Sequence, residues 1–169
     1  YAISQFTLAG VYETGDGVSR DDAETVKWLK LAGEQGYAEA QYKLGWKYYH
    51  GEGVPQNFPE AFKWYFFAAE TGDIKAQFSL GVMYDNGQGV TQDYQKAFKW
   101  VSLPAEKGDV QAQFFLACMY EDGQGVAQDY AEAVKWYSLA AEQGDVMAQS
   151  NLGHLFVEGK TGKEDFIQA

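Results

Sequence analysis

The side chains that could carry out chemistry are few, and their spacing keeps them apart. The sequence contains two histidines, His50 and His154, and one cysteine, Cys118. A metal site or a catalytic triad needs several groups that converge on one point, and these residues share neither a helical spacing nor a local cluster. We therefore expect surface positions for the histidines and a small apolar role for Cys118 within a helix.

Two short motifs suggest chemistry, but their context argues against it. Lys160-Thr161-Gly162 matches one motif of serine β-lactamases, yet the sequence has no Ser-x-x-Lys that would supply the nucleophile. The G-x-G-V segments, such as Gly87 to Val90, resemble a phosphate-binding loop only in their glycines, because no Gly-Lys-Ser/Thr follows them. Neither motif therefore predicts an active site, and we expect a protein that is not an enzyme.

A repeat accounts for the spacing of most residues. The segment GQGVTQDYQKAFKW at 87–100 returns as GQGVAQDYAEAVKW at 123–136, and Trp28, Trp64, Trp100 and Trp136 are each 36 residues apart. A fixed period of this length is typical of a solenoid. The pattern predicts one array over 1–169, with four repeats at 1–36, 37–72, 73–108 and 109–144 and a partial fifth at 145–169. Neither end has a distinct polar cap, so we expect a piece of a longer array.

Each repeat is predicted to contain two helices joined by the G-x-G-V loop. In the first helix, Ala40, Leu44 and Tyr48 recur four residues apart and form one stripe. Gly45, in the middle of this helix, costs about 1 kcal/mol relative to alanine, so we expect it to allow close helix packing. Asp73, Asp109 and Asp145 are predicted N-caps of this helix.

The second helix of each repeat is predicted to begin after a capping side chain, at Asp21, Asn57, Asp93, Asp129 and Asp165. Three residues later stand Glu24, Glu60, Lys96, Glu132 and Gln168, so four of the five starts carry the sequence of a capping box. Pro104 lacks the N–H that its helix would use. We expect the second helix of the third repeat to bend or end early there.

Composition excludes several classes of partner. The formal net charge is -11, which argues against nucleic acid or an anionic membrane as the main partner and leaves a basic protein partner as an option. No apolar run approaches the roughly 18 residues that a membrane span needs. A single cysteine cannot form an intrachain disulfide, so the sequence does not indicate the cellular compartment. The sequence does not indicate the oligomeric state either. The chain begins at Tyr1 rather than Met and shows no leader, so we expect any targeting segment to have been removed or to lie outside this sequence.

One face of the first helices varies between repeats. Repeat positions are numbered here so that Tyr1 is position 1. Positions 4, 5, 8, 9 and 12 are nearly constant and are predicted to form the core. Positions 3, 7, 10 and 14 lie opposite and change completely, and we call them the variable face. This variation fits either an unconstrained solvated face or a binding groove with an apolar centre and a polar rim. The candidate binding residues are Trp46, Phe115, Val82, Lys43, His50, Asn86, Asp122, His154 and Glu158.

The repeated residues resemble the Sel1-like repeat family, a relative of the tetratricopeptide repeats. Its A-x-x-x-L-G-x-x-Y element matches Ala76, Leu80, Gly81 and Tyr84, G-x-G-V matches Gly87, Gly89 and Val90, and D-Y-x-x-A-x-x-W matches Asp93, Tyr94, Ala97 and Trp100. The resemblance implies an all-α α/α solenoid, a right-handed superhelix of antiparallel helix pairs whose concave face is lined by the first helices. It also implies an adaptor without a cofactor.

Three functions follow from these patterns. The first is a non-catalytic scaffold that binds a peptide or protein segment on the concave face, with Trp46 and Phe115 partly exposed. The second is a regulatory or substrate-binding portion of a larger enzyme or cell-envelope complex. The third, β-lactam binding or hydrolysis, rests on family analogy alone, and this sequence lacks the cysteines of the branch linked to penicillin binding. If the concave face does not bind, the convex face carrying Phe66 and Tyr137 is the alternative.

Overall fold

The computed structural model describes residues 1–160, and within them the chain forms nine helices and no strand. The helices are α1 Ala2–Thr14, α2 Asp22–Glu34, α3 Ala38–His50, α4 Phe58–Glu70, α5 Ile74–Asn86, α6 Tyr94–Glu106, α7 Val110–Asp122, α8 Tyr130–Glu142 and α9 Val146–Val157. The odd-numbered helices are the first helices of the repeats, and the even-numbered ones are the second. The predicted all-α fold of repeated helix pairs is confirmed.

The chain divides into two compact units, Tyr1–Gln92 and Asp93–Ala169. The core of the N-terminal unit contains Ala9, Val26, Leu29, Ala32, Ala40, Leu44 and Trp64. The core of the C-terminal unit contains Ala117, Ala133, Tyr137, Ala140, Ala148 and Leu155. In both units, alanines alternate with a few large side chains, which lets neighbouring helices pack closely.

The predicted N-caps are present wherever the structure describes them. The side chains of Asp21, Asn57, Asp93 and Asp129 accept backbone hydrogen bonds at the starts of α2, α4, α6 and α8. Those of Asp73, Asp109 and Asp145 do the same for α5, α7 and α9, at 2.8, 2.9 and 2.7 Å. The predicted cap Asp165 and its companion Gln168 lie outside the described residues.

The second half of the predicted capping box is wrong. The N–H of Asp21 donates to the carbonyl of Tyr12 at 3.0 Å, and the N–H of Asp129 donates to the carbonyl of Tyr120 at 2.9 Å. The side chain of Glu24 instead accepts from Lys27 Nζ and from the indole of Trp28. The cap N–H thus ties the second helix to the first helix of its own repeat, so no glutamate is needed there.

The G-x-G-V loop is a structural joint, as predicted. Gly87 and Gly89 have φ values of 68° and 70°, in the left-handed region that glycine adopts without strain. A Cβ on Gly89 would lie 2.4 Å from the carbonyl oxygen of Phe58, so this loop lies directly on the start of α4. The second glycine of the loop is required both by its backbone conformation and by this contact.

The predicted early end at Pro104 is wrong. Helix α6 has 13 residues, as α4 and α8 do, and ends at the equivalent repeat position. Pro104 lies in the last turn, where its carbonyl still accepts from the N–H groups of Lys107 and Asp109, at 3.1 and 3.0 Å. These bonds close the helix without the N–H that proline lacks.

The glutamine at repeat position 5 joins successive repeats. Gln41 Nε2 donates to the carbonyl of Gly33 at 2.9 Å, and Gln113 Nε2 donates to the carbonyl of Ala105 at 3.2 Å. The accepting carbonyls belong to the end of the preceding second helix, and each also accepts from a backbone N–H three residues later, that of Gly36 or Gly108. This bond explains why a polar residue recurs in the core stripe every 36 residues.

Candidate interaction surface

Trp46 is a half-buried platform on α3 in the N-terminal unit. The ring of His50, one turn later, lies over it with the ring centroids 4.3 Å apart. Lys47 Nζ lies 5.7 Å from the Trp46 ring centroid, within the range of a cation–π contact. These two contacts restrain the indole, which lowers the entropy that a partner must remove when it packs on the ring.

An apolar pocket of about 180 Å³ lies beside Val82 in the N-terminal unit. Its walls are Tyr49, Tyr65, Phe78, Ser79 and Val82, from α3, α4 and α5. The phenol of Tyr49 donates to Gln88 Oε1 at 2.9 Å, and burial raises the pKa of Tyr65 far above its ordinary value of 10.0. Val82 and Ser79 occupy variable-face positions, so the pocket opens among the predicted binding residues.

Lys43, which was predicted to be a binding residue, is engaged in an ion-pair network. Its Nζ lies 2.9 Å from Glu13 of α1, and Lys47 Nζ lies 3.1 Å from Glu13 and 3.2 Å from Glu52. Burial raises the pKa of Glu13, but the hydrogen bonds and charges of Lys43 and Lys47 outweigh it and hold the pKa below its ordinary value of 4.5. Lys43 therefore offers a partner less free charge than its sequence position suggested.

Lys47 is a feature that the sequence interpretation missed. It is only 3% exposed, although the other repeats place Val11, Met83, Met119 and Leu155 at the same position. Position 11 was not among the predicted core positions, yet Met83, Met119 and Leu155 are fully buried. The apolar residues at this position were the available signal, and they mark Lys47 as an ion placed in an apolar site.

The C-terminal unit carries a buried polar network behind its variable face. Tyr137 is fully buried, and its phenol donates to Glu121 Oε2 at 2.7 Å and accepts from Asn151 Nδ2 at 3.0 Å. Cys118 Sγ lies 3.2 Å from the same oxygen, within the range of a hydrogen bond that involves sulfur. Burial raises the pKa of Cys118 above its ordinary value of 9.0. The network holds α7, α8 and α9 together, and the burial of Cys118 favours its thiol form.

The predicted polar rim of the C-terminal unit is partly self-neutralised. His154 Nε2 lies 3.0 Å from Glu158, and Lys160 Nζ lies 2.6 Å from the other oxygen of that carboxylate. The hydrogen bond from Lys160 lowers the pKa of Glu158. Asp122 is exposed at the end of α7. Attraction of a basic partner in this unit would therefore rest on Asp122 more than on Glu158.

Asn86 on α5 and Phe115 on α7 are the remaining predicted binding residues. Asn86 Nδ2 donates to the carbonyl of Val82 at 3.1 Å, one turn earlier on α5. Phe115 is half-buried on α7, as is Trp46 on α3, which agrees with their expected partial exposure. The prediction of an alternative binding surface on the convex face is wrong for one of its two residues. Phe66 is 37% exposed, but Tyr137 is fully buried and cannot contact a partner.

Metal binding and membrane spanning are the two remaining possibilities for residues 1–160. This part of the chain contains no group of three or more histidine, cysteine, aspartate or glutamate side chains placed to hold a metal ion. None of the helices in this part is both long and apolar enough to cross a membrane. The β-lactamase-like tripeptide includes Thr161 and Gly162, which lie outside the described residues.

The fold and this surface define a class of protein: an all-α repeat protein built from stacked helix pairs. The sequence model of the Sel1 repeat matches residues 2–37, 38–73, 74–109, 110–145 and 146–169. The chain belongs to the Sel1 repeat family. Proteins of this family are generally non-catalytic scaffolds for protein–protein interaction. A search of curated proteins finds none that matches this chain.

Several solved structures are similar to this chain. The protective antigen c5321 of uropathogenic Escherichia coli, described as displaying an SLR fold, is 38% identical with a TM-score of 0.92, over 98% of this chain and 35% of its own. A Sel1 repeat protein from Oxalobacter formigenes is 39% identical with a TM-score of 0.85, over 92% of this chain and 64% of its own. Cysteine-rich protein B of Helicobacter pylori, 23% identical with a TM-score of 0.61 over 79% of this chain and 96% of its own, shares the fold. The chain thus spans about a third of the E. coli antigen and under two thirds of the Oxalobacter protein.

Proposed function

We propose that this chain is a non-catalytic scaffold that binds a peptide or protein segment through the variable face of its first helices. The observation that carries the proposal is the position of Trp46, half-buried and restrained by His50 and Lys47. Large aromatic side chains that are partly exposed and already ordered supply much of the binding energy of protein interfaces. Family membership supports the same class of function.

The apolar pocket beside Val82 supplies the second element of such a site. Its volume of about 180 Å³ is suited to one apolar side chain of a partner rather than to a cofactor. Burying an apolar side chain contributes about 1.5 to 3 kcal/mol, which is enough to select a position in a bound segment. In the C-terminal unit, Phe115 and Asp122 are the candidate contacts, and Asp122 would favour a basic residue of the partner.

The test uses the whole chain as bait for partner capture, with single variants compared in parallel. Trp46→Ala and Val82→Asp should reduce the captured partner at least tenfold, because a dominant interface contact is worth about 2 kcal/mol or more. Leu31→Ala, at an exposed apolar residue of α2, is the matched control and should capture as much partner as the parent chain. The proposal fails if both variable-face variants retain the partner as well as the control does.

A further inference from the structure

A second cleft lies in the N-terminal unit, away from the variable face. It has a volume of about 610 Å³, and helices α2 and α4 form its rim. Two lysines and two glutamates border it, so the rim carries no net charge. The lining residues are Lys30, Gly33, Glu34, Gly36, Gln41, Tyr48, Glu60, Lys63, Trp64 and Phe67.

Two buried polar atoms belong to residues that line this cleft and have no partner among the described residues. Gln41 is 6% exposed, and its Oε1 accepts no hydrogen bond, because its Nε2 alone is used, on the carbonyl of Gly33. Trp64 is 4% exposed, and its indole Nε1 donates to no group. One atom is an acceptor and the other is a donor. Buried polar groups are nearly always hydrogen-bonded, so this pair points to a complementary ligand.

The C-terminal unit shows which chemical group fits the acceptor. Gln113 is the counterpart of Gln41, two repeats later, and Gly108 is the counterpart of Gly36. There, Gln143 Nε2 donates to Gln113 Oε1 at 2.8 Å and to the carbonyl of Gly108 at 3.2 Å. A primary carboxamide therefore fills this position from within the chain. The first repeat uses the same arrangement, in which Gln35 Nε2 donates to Gln5 Oε1.

The second repeat lacks this internal carboxamide. Thr71 stands at the repeat position of Gln35 and Gln143. Its hydroxyl donates to the carbonyl of Ala68 at 2.7 Å, within its own helix, and does not serve Gln41. The substitution of threonine for glutamine thus leaves the cleft without the group that Gln5 and Gln113 receive. The third repeat, which has Lys107 at this position, leaves Gln77 Oε1 without a partner among the described residues as well.

We propose that the cleft between α2 and α4 binds the side-chain carboxamide of a glutamine in a peptide ligand. The amide NH₂ donates to Gln41 Oε1 and to the carbonyl of Gly36, as Gln143 does in the C-terminal unit. The amide oxygen accepts from Trp64 Nε1. Trp136, the counterpart of Trp64, has no partner for its own Nε1 within residues 1–160, so the internal Gln143 does not make that bond. An external ligand is not tethered to the helix end and can make both bonds.

The test titrates N-acetyl-glutamine methylamide into the ¹⁵N-labelled chain and follows the indole N–H resonances. The Trp64 resonance, assigned from Trp64→Phe, should shift saturably with a dissociation constant in the millimolar range. The Trp136 resonance should not shift, because Gln143 already occupies its site. N-acetyl-glutamate methylamide, which has the same shape but lacks the NH₂ donors, should leave Trp64 unshifted.

A variant that fills the cleft from within is the matched control. Thr71 has φ of -82°, close to the -85° of Gln143, so Thr71→Gln fits the existing backbone. This variant should raise the melting temperature and abolish the saturable Trp64 shift. The proposal is overturned if Trp64 does not respond in the parent chain, if the glutamate analogue shifts it equally, or if Thr71→Gln responds as the parent does. Because Trp46 lies elsewhere, these outcomes are independent of binding at the variable face.

Discussion

A Cβ on Gly45 would lie 2.6 Å from Cδ1 of Tyr65, closer than two carbon atoms can approach. Gly45 is in the middle of α3, and Tyr65, on α4, is 3% exposed and lines the apolar pocket beside Val82. The added Cβ would also lie 2.8 Å from Cε1 and 3.0 Å from Cγ, so the whole ring, and not only its tip, would have to move. This contact explains why α3 tolerates a residue that lowers helix stability, and it confirms the predicted close packing.

We expect Gly45→Ala to destabilise the chain by about 1 to 3 kcal/mol through overpacking, although alanine is the better helix former. Urea unfolding followed by circular dichroism measures the change. Gly10→Ala is the control, because no described atom beyond the adjoining backbone of α1 lies within 4 Å of its Cβ position. That variant should gain up to about 1 kcal/mol, and a gain at both sites would show that the Tyr65 contact does not limit packing.

Truncation of the two tryptophans should separate the core from the variable face. Trp64 is 4% exposed within the core of the N-terminal unit, so Trp64→Ala should cost about 3 to 5 kcal/mol. Trp46 is half-buried and Trp46→Ala should cost distinctly less. Thermal unfolding of both variants checks the difference, and equal melting temperatures would contradict the assignment of the two faces.

Replacement of the buried lysine should not weaken the fold. The Lys47→Met variant introduces the residue that two other repeats have at this position, as Met83 and Met119, and both of these are fully buried. Glu13 keeps its ion pair with Lys43, and the side chain of Glu52 is 43% exposed and can be hydrated. We therefore expect stability to stay the same or to rise by up to about 2 kcal/mol, since a buried ion is replaced by an apolar side chain.

Lys47→Ala provides the comparison for that experiment. It removes the same charge but leaves a cavity, so it should lose about 2 kcal/mol or more relative to Lys47→Met. Both values come from the same chemical unfolding series. A large loss in Lys47→Met would mean that the ion pairs of Lys47 stabilise the native state by more than their desolvation penalty.

The stability contributed by Glu13 should depend on pH. The pKa of Glu13 is lowered in the folded chain, so its ionised form stabilises the fold above the unfolded pKa, near the ordinary value of 4.5. This contribution is lost as the pH falls through the lowered folded pKa. The parent chain should therefore exceed Glu13→Gln in melting temperature at neutral pH, and the difference should close on acidification. Thermal unfolding of both chains over a range of pH measures this difference, and a difference that stays constant would contradict the role of the ionised Glu13.

The repeated residues were enough to predict the helices, their caps and most of the core. Each helix forms from a local pattern of apolar spacing, N-cap and glycine, and the pattern recurs every 36 residues with few changes. Asp73, Asp109 and Asp145 could be assigned as caps because a cap bonds to backbone only two or three residues away. Comparison of the repeats also defined the variable face, because the residues at its positions differ from one repeat to the next.

The errors occurred where a residue finds its partner outside its own helix. The N–H of Asp21 binds the carbonyl of Tyr12 across the loop, and a capping-box motif cannot show that alternative. Tyr137 was predicted to lie on the convex face, but its phenol is enclosed by Glu121 and Asn151 of the flanking helices. The buried Leu29, Tyr65 and Val101 at the same repeat position were the available signal. Lys47 is buried because Glu13 and Glu52 approach it from α1 and from the following loop.

What the sequence by itself determined was the repeat, and hence the family and the arrangement of each helix pair, because these depend on interactions of short range along the chain. Only the tertiary structure decided which polar atoms are satisfied, since that depends on side chains about 30 residues apart. Gln113 receives the carboxamide of Gln143, whereas Gln41 lacks such a bond because Thr71 stands at the corresponding place. One substitution at the end of a helix thus turns a filled position into an open cleft.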